Sequence, residues 1–577
     1  MPEVYRRPSN ENLSFKKSVH PLIQKIFKRR PISDVSEIEL GLNNLLTPEK
    51  FKGIDDAVSL LINALEKQER VLIVADFDAD GATSCVLAIN CLRKFGLRQI
   101  DYVVPNRFEY GYGLTSEIVE LGKLKNPDLI ITVDNGISSV EGVATANAAG
   151  ISVIITDHHI APSVLPAAQA ILNPNQPGCE FPSKCIAGVG VIFYLMLALR
   201  GRLRALGWFE KSGLAEPNLA DQLDLVALGT IADVVPLDRN NRILVDEGLK
   251  RIRKGKTRPG IDALITVSNR EGVRLKASDI GFGLAPRLNA AGRLEDMSTG
   301  IECLLSASDS DAYQLALALD GINRDRKKIE ADMREQAWQA LDEISAQDKD
   351  LPNALCLFDE RWHQGIVGII ASRIKDKYHR PAIAFAQVDE GHEIKGSARS
   401  IRGFHIRDAL DIVATKNPGL IEKFGGHAMA AGLSLKRQDF EAFEKAFLAE
   451  ANRLLNEEQL QSKVLSDGSV EPKWLTLEVA NLIEAAGPWG QEFSEPLFDD
   501  IFKLVEYRKV GQNHLKMVLS PVDDLGCTLD AIAFNVEASD WPAEGSKEIE
   551  IAYRLETNHF QGNISLQLMV EHIIKIL

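Results

Sequence analysis

VLIVADFDADG, residues 71–81, is an apolar run with no polar alternation that ends in three aspartates at alternate positions and then a glycine. In an extended chain alternate residues point the same way, so Asp76, Asp78 and Asp80 are expected to gather on one side of a strand end. The next segment, ATSCVLAINCLRKFG (82–96), reads as a helix closing on Gly96. Further apolar runs follow in DYVVP (101–105), PDLIITVDNG (127–136) and ISVIITDHH (151–159), with the helical SSVEGVATANAAG (138–150) between the last two. Strands without alternation, separated by helices, indicate a parallel sheet covered on both faces. LDLVALGTIADVVPL (223–237) is another apolar stretch that runs into an acid, Asp233.

The rest of the chain divides by pattern. Residues 1–65 read as a helical extension without a motif, and 66–304 as the α/β unit that carries the acids. Residues 305–347 contain no proline and read as one long connector helix. Ile322, Ile329, Met333, Ala337 and Leu341 fall on one face, and RDRKKIEADMRE (324–335) covers much of the other. A second, smaller α/β unit spans 348–450, and an acidic linker or helical segment spans 451–495. The tail, 496–577, changes character: FKLVEYRKV (502–510), HLKMVL (514–519), LDAIAFN (529–535), IEIAYRLE (549–556) and ISLQLMVE (564–571) read as short strands. Five strands in so little chain suggest a small barrel, for which the OB-fold is the commonest candidate. The expected fold class is therefore α/β multidomain with a C-terminal β-barrel.

At 577 residues, 45% hydrophobic and 25% charged, the chain has the composition of a globular protein with several cores. Its start lacks an apolar signal region, and no apolar run approaches the length that spans a bilayer, so neither secretion nor a membrane is expected. Seven scattered cysteines without a CxxC pair suit reduced thiols in a cytoplasm. The net charge of −15 argues against a nucleic-acid partner only if charge is uniform. It is not: Arg242 to Arg293 holds twelve Lys/Arg against five Asp/Glu, and Lys395 to Arg407 holds four bases and no acid. Each run is also compatible with a plain solvated face.

Four acidic features are expected at strand ends of the first unit: the aspartates of 76–80, Asp134, Asp157-His158-His159, and Asp233. In an open parallel sheet the carboxyl ends of the strands form the ligand crevice. Carboxylates gathered there repel one another unless a divalent cation sits among them. Taken singly, a DxD is often a turn, an aspartate after a strand is often an N-cap, and a His-His pair arises by chance. Together they indicate a metal centre, and oxygen-rich ligands with one or two imidazoles suit Mn²⁺ or Mg²⁺. Gly188-Val189-Gly190 reads as a packing turn, and no GxSxG or Walker motif is present. In the second unit KGSARS (395–400) pairs Ser397 and Arg399 on an extended segment, although an exposed basic loop would look the same. FGGHAMAAG (424–432) places His427 after two glycines, where a strand is expected to meet a helix; a buried structural histidine fits equally.

DFDADG, TVDNG, DHH and GTIADVVPL resemble the four motifs of the DHH phosphoesterases, and KGSARS and FGGHAMAAG resemble the companion DHHA1 domain of that superfamily. PNRFEYGYGL (105–114), LAPRLNAAGRL (284–294), WHQGIVGIIASRI (362–374) and the terminal barrel resemble the bacterial RecJ exonucleases. The resemblance runs from about residue 66 to the end. It implies that Asp134 bridges two ions, that Asp76 and Asp78 complete one site, and that Asp80, His158 and Asp233 complete the other. His159 would face the scissile phosphate as ligand, orienter or acid. Asp80, Asp134, His158 and His159 are thus the implied catalytic set. Several short-substrate members of the superfamily carry histidine where this chain has Asp76. Arg107, Ser397, Arg399 and His427 are implied at the DNA end and its terminal phosphate. Arg287, Asn289 and Arg293, in a loop too polar for a core, would form a narrow entrance. Two bound ions supply an activated water and neutralise charge on the phosphate oxygens.

The implied activity is 5′→3′ degradation of single-stranded DNA to mononucleotides in repair and recombination. Polarity and the preference for DNA come from the resemblance alone. It also suggests a single-stranded-DNA-binding protein and a RecQ-type helicase as partners. Two rivals are a phosphodiesterase of short oligoribonucleotides or cyclic dinucleotides, whose members are usually shorter and lack the barrel, and a non-catalytic replication scaffold, which would have lost ligand positions. A pyrophosphatase is disfavoured by the basic stretches.

Overall fold

The computed structural model describes residues 3–106, 113–345, 351–388, 392–511, 513–524, 526–536, 541–542, 547–560 and 562–576. The chain opens with a short strand, β1 (Glu3–Arg6), whose partner lies far along the sequence. Helices at Pro21–Phe27 and Ile54–Lys67 lead into the first sheet. That sheet holds β2 (Val71–Ala75), β3 (Ile100–Val103), β4 (Leu129–Val133), β5 (Ser152–Thr156) and β6 (Ala170–Leu172), all parallel, in the order β3-β2-β4-β5-β6. Every residue of β2 and β4 is buried, which is why their sequences do not alternate. Val71, Ile73, Ala75, Leu129, Ile131 and Val133 enter one apolar cluster, while Leu72, Val74, Ile130, Val153 and Ile155 enter a second. Alternate residues of one strand thus feed the two faces of the sheet. Each valine, leucine or isoleucine among them contributes roughly 1.5–3 kcal/mol by leaving water.

The strand order matters for function. From β2 the chain steps outward to β3 and then returns to β4 on the other side, so the winding reverses between β2 and β4. Such a reversal opens a crevice at the carboxyl ends of those two strands. The helix Ala79–Phe95 stops at Gly96, whose φ of +107° favours glycine. The stretch 223–232 differs from the sheet strands it resembles in sequence: it is a helix, Leu223–Ala232, with Leu223 to Thr230 all buried. A helix buried all round shows no periodicity, so composition alone did not separate it from a strand.

A helix of 37 residues, Asp309–Ser345, joins the units. Its early part packs Ala312, Ala316, Leu319 and Ile322 into the core of the first unit, and its later part packs Met333, Ala337 and Leu341 against the helix Val367–Tyr378. One rigid rod therefore belongs to two cores. The second sheet comprises β7 (Leu355–Phe358), β8 (Ala382–Val388), β9 (Glu393–Arg399), β10 (Lys423–Gly426) and β11 (Ala430–Lys436), in the order β10-β11-β9-β8-β7. It is mixed: β7 and β8 are parallel, the other pairs antiparallel. His427 lies in the hairpin between β10 and β11, not between a strand and a helix as its sequence suggested.

The acid-rich stretch after residue 450 contributes β12 (Lys463–Ser466), which pairs in parallel with β1. The N-terminal segment is therefore not wholly helical. Four-residue β1 has no apolar pattern of its own and exists because a distant edge receives it. Beside this pair, Arg30 grips Asp467 with two parallel hydrogen bonds of 2.7 and 3.0 Å, both side chains almost fully buried. The tail forms a closed barrel from β13 (Phe498–Val510), β14 (His514–Pro521), β15 (Leu529–Ala533), β16 (Glu548–Phe560) and β17 (Asn563–Ile576), in the order β13-β14-β15-β17-β16. Only the β15–β17 pair is parallel among the described pairings, the arrangement of an OB-fold. Ile549, Ile551, Tyr553 and Leu555 fill its interior as their alternation predicts. Val470, Val479 and Phe493 carry the core of the first unit continuously into the barrel core. No described helix is long and apolar enough to cross a membrane.

Candidate active site at the carboxyl ends of the parallel strands

Asp76 follows β2, and Asp78 caps the next helix by accepting the Asp80 and Gly81 N–H groups at 2.9 and 3.0 Å. The helix thus begins at Ala79, and the three aspartates do not share one extended face as the i, i+2, i+4 spacing suggested. The turn into the helix splits them. Asp76 and Asp78 converge with Asp134, whereas Asp80 converges with His158 and Asp233. Within each trio the candidate ligand atoms lie within 4.8 Å of one another, and a third trio joins Asp134, His158 and His159. The centre is therefore two adjoining clusters, with Asp134 and His158 at their junction.

Each side chain is held by its local structure. Asp134 follows β4 with φ +61°, a left-handed turn that aims it back over the strand ends. Asp80 is fully buried and accepts the N–H groups of Gly188 and Val189 at 2.6 and 2.9 Å. Those donors open the helix Gly188–Ala205, so the GVG read as a packing turn is a helix N-terminus directed at a carboxylate. A Cβ on Gly188 would stand 2.6 Å from Asp134 Oδ1, and one on Gly229 would stand 2.8 Å from Asp80 Oδ1. Asp233 caps the C-terminus of the buried helix Leu223–Ala232 rather than ending a strand. His158 Nε2 lies 3.2 Å from Asp134 Oδ1 and 3.4 Å from Asp233 Oδ2.

The electrostatics fit a cation. Burial first, and then the charge of a neighbouring carboxylate, pushes Asp80, Asp134 and Asp233 upward from the usual carboxylate range. His158 Nε2 and Asp233 Oδ2 are buried without a hydrogen bond. Buried polar atoms left so are costly, and carboxylates that crowd together resist ionisation unless positive charge sits among them. Oxygen donors with imidazole suit Mn²⁺ or Mg²⁺. His159 is set apart by Asp157. Burial alone would lower the His159 pKa, but the 2.7 Å contact of Nδ1 with Asp157 Oδ1 outweighs it and raises the ring to about 9. Asp157 moves the opposite way, to about 2: burial would raise it, but the same bond and both imidazoles prevail.

The remaining predicted residues scatter. His427 stacks on His159, ring centroids 6.5 Å apart and planes 18° apart, so the second sheet reaches the candidate ligand cluster. A cleft of about 1360 Å³ between the units is lined by His159, His427, His405 and Arg407. Arg407 belongs to the basic run noted in the sequence but had no motif to single it out. Arg399 donates to Ser397 Oγ at 3.1 Å across one face of β9, and burial lowers its pKa. Arg287, Asn289 and Arg293 lie on a helix, Ala285–Leu294, not in a loop. Asn289 Oδ1 accepts the Ala79 N–H at 2.8 Å and so braces the aspartate loop. Arg293 reaches the Gly365 carbonyl at 3.3 Å. Arg287 is paired with Asp320 and bonded to the Gly283 and Val267 carbonyls. Polarity misled here because one helix face pairs with carboxylate and backbone partners that are distant in sequence. Arg107 lies outside the described residues.

Comparison with known proteins matches this layout. The DHH family N-terminal domain matches residues 70–230, the DHHA1 domain 351–457 and the RecJ OB domain 466–572. The single-stranded-DNA-specific exonuclease RecJ of Salmonella typhimurium is 50% identical over 571 residues, 99% of both chains. The crystal structure of Thermus thermophilus RecJ with Mn²⁺ superposes with a TM-score of 0.78 at 28% identity, covering 96% of this chain and 76% of that one. The same protein with Mg²⁺ gives a TM-score of 0.73 at 27% identity, covering 96% and 75%. With the sequence, the domain succession and the fold all in agreement, this chain belongs to the RecJ family of exonucleases.

Proposed function

We propose that the chain degrades single-stranded DNA from its 5′ end to mononucleotides, using two Mn²⁺ or Mg²⁺ ions. The observation that carries this reading is the pair of ligand clusters meeting at Asp134 and His158 in the crevice between β2 and β4. Asp76 and Asp78 would hold one ion, Asp80, His158 and Asp233 the other, and Asp134 both. Two ions at such a site supply an activated water and neutralise charge on the phosphate oxygens.

The chain's own residues hold that arrangement. The Gly188 and Val189 N–H groups fix Asp80, Asp78 commits its capping oxygen to the helix, and Asn289 braces the loop between them. Asp157 fixes the His159 ring through Nδ1, and the ring so held would face the phosphate. Ser397 and Arg399 on β9, with His427 at the hairpin, would meet the strand's 5′ phosphate. A single-stranded-DNA-binding protein and a RecQ-type helicase are the partners we assign, and a cytoplasmic setting suits seven cysteines that are all free thiols.

The test is direct. Purified protein with Mn²⁺ is given single-stranded DNA, single-stranded RNA and duplex DNA, each labelled at one end. The expected result is labelled mononucleotide released first from the 5′-labelled single-stranded DNA. Release first from 3′-labelled strands, or preference for di- and trinucleotides of RNA, would overturn the reading.

A further inference from the structure

The turn after β6, Asn173-Pro174-Asn175, runs beside the Asp-His-His turn after β5. β5 and β6 pair in parallel as far as Thr156 and Leu172, and the Asp157 N–H extends that ladder to the Leu172 carbonyl at 3.0 Å. Pro174 restricts the residue before it to an extended backbone. Asn173 is fully buried there and uses both ends of its amide. Oδ1 accepts the Asn175 N–H at 2.7 Å, and Nδ2 donates to the His159 carbonyl at 2.9 Å. Asn175 does the same for the neighbouring peptide: its Nδ2 donates to the His158 carbonyl at 2.6 Å and to the Lys184 carbonyl at 3.1 Å.

From the other side, Asp157 Oδ1 accepts the His158 and His159 N–H groups at 2.7 and 3.0 Å. Side chains therefore engage the backbone N–H and carbonyl of both histidines, which leaves the rings little freedom beyond their own torsions. The turn has separate fastenings to the rest of the unit. Gln176, also buried, directs its amide to the Lys52 and Ile171 carbonyls at 3.3 and 2.7 Å. Lys184 Nζ bonds the Pro174 and Cys179 carbonyls at 2.7 and 2.8 Å. Only the two asparagines of this turn are aimed at the histidines.

We infer that Asn173 and Asn175 are positioning residues with separate tasks. Asn175 holds the peptide that sets the His158 ring between Asp134 and Asp233, and so acts through a metal ligand. Asn173 holds the peptide that sets His159, and so acts through the residue that faces the scissile phosphate. The inference rests on the two-ion exonuclease reading and divides work within it. Removing the partner behind a ligand usually changes metal affinity or activity about 10- to 100-fold. Misplacing a group at the reacting bond by ~1 Å has a similar cost, about 100-fold in rate.

The test uses the full-length protein and two readouts: calorimetric binding of Mn²⁺ without DNA, and steady-state hydrolysis of single-stranded DNA at saturating Mn²⁺. Asn175→Ala should weaken Mn²⁺ binding by about 10-fold or more. Asn173→Ala should leave Mn²⁺ binding within about twofold and lower kcat about 10- to 100-fold with little change in KM, the pattern of an interaction made in the transition state. Asn173→Ser should match it, because a serine hydroxyl can keep the turn's bond to the Asn175 N–H but is too short to reach the His159 carbonyl. The serine variant also serves if the alanine variant does not fold. Gln176→Ala should lower the melting temperature and leave both readouts unchanged, since it loosens the turn without releasing either histidine. If Gln176→Ala moves Mn²⁺ binding or kcat as far as the asparagine variants do, or if those variants lower only the melting temperature, the asparagines are plain supports and the inference falls. A wild type that degrades no single-stranded DNA would overturn the exonuclease reading instead, and the calorimetry, which needs no substrate, would still decide the role of Asn175.

Discussion

Gly188 shows how the site depends on a residue with no side chain. Its N–H holds Asp80, and its missing Cβ leaves room for Asp134. Gly188→Ala should therefore impair binding of Mn²⁺, measured by calorimetry, without touching any ligand. Asp134→Ala should abolish hydrolysis in a folded protein that still binds DNA, because Asp134 is the residue proposed to hold both ions. Retention of turnover within about tenfold, ~1.4 kcal/mol of barrier, would defeat the two-ion assignment. Asp76→Ala should be milder, since Asp76 joins one cluster only. Arg399 poses a different question. A guanidinium clamps phosphate with two parallel bonds that an ammonium does not reproduce. Arg399→Lys should cut the preference for a 5′-phosphorylated over a 5′-hydroxyl end by about tenfold, or ~1.4 kcal/mol. Equal loss on both ends would mark Arg399 as a general electrostatic contributor.

At the level of elements, the pairing of β1 with β12 ties the N-terminus to the barrel's approach. Arg30 and Asp467 sit at that junction, and Arg30 also lies 5.6 Å from the Trp489 ring. Breaking a buried ion pair leaves one charge without compensation, at a cost of about 3–5 kcal/mol. Arg30→Met should lower stability by roughly that amount in urea unfolding. Adding Asp467→Leu should recover part of the loss, since it removes the carboxylate left behind, and only part because Arg7, 3.9 Å from Asp467 Oδ1, then loses its partner. A single variant as stable as wild type would show that the pair is not structural. The helix Leu223–Ala232 makes the complementary point. It delivers Asp233 from the end of a buried rod, so an acid read as the end of a strand comes from a helix cap.

Across the whole molecule, the catalytic and barrel cores form one continuous apolar cluster. Removing the barrel would expose Val470, Val479 and Phe493, so deletion confounds grip with stability. Surface substitution is cleaner. Arg508 and Lys509 are exposed on β13, and Lys509 lies over the Trp541 ring at 4.9 Å. If the barrel holds DNA at a distance from the chemistry, replacing both with alanine should weaken binding of long strands. It should also flatten the dependence of log affinity on log salt by about 0.7 for each phosphate no longer neutralised. An oligonucleotide too short to reach the barrel should be hydrolysed as before. Equal damage at both lengths would make the barrel a support, not a grip.

Local sequence sufficed for the features that local physics controls. Unbroken apolar runs announced the buried parallel strands, glycine and capping residues set the helix ends, strict alternation in 549–555 revealed the barrel interior, and acids after apolar runs marked the crevice. What required the tertiary structure was partnership between distant segments. The division of Asp76, Asp78 and Asp80 between two clusters depends on where the helix begins relative to β4. The Gly188 and Val189 donors belong to a helix more than a hundred residues from Asp80. The ion pair of Arg287 with Asp320 and the stacking of His427 on His159 arise only when separate units pack. Backbone propensity and hydrophobic period act over a few residues, whereas the placement of a polar group follows from which buried partner satisfies it, and that partner is set by the packing of the whole chain.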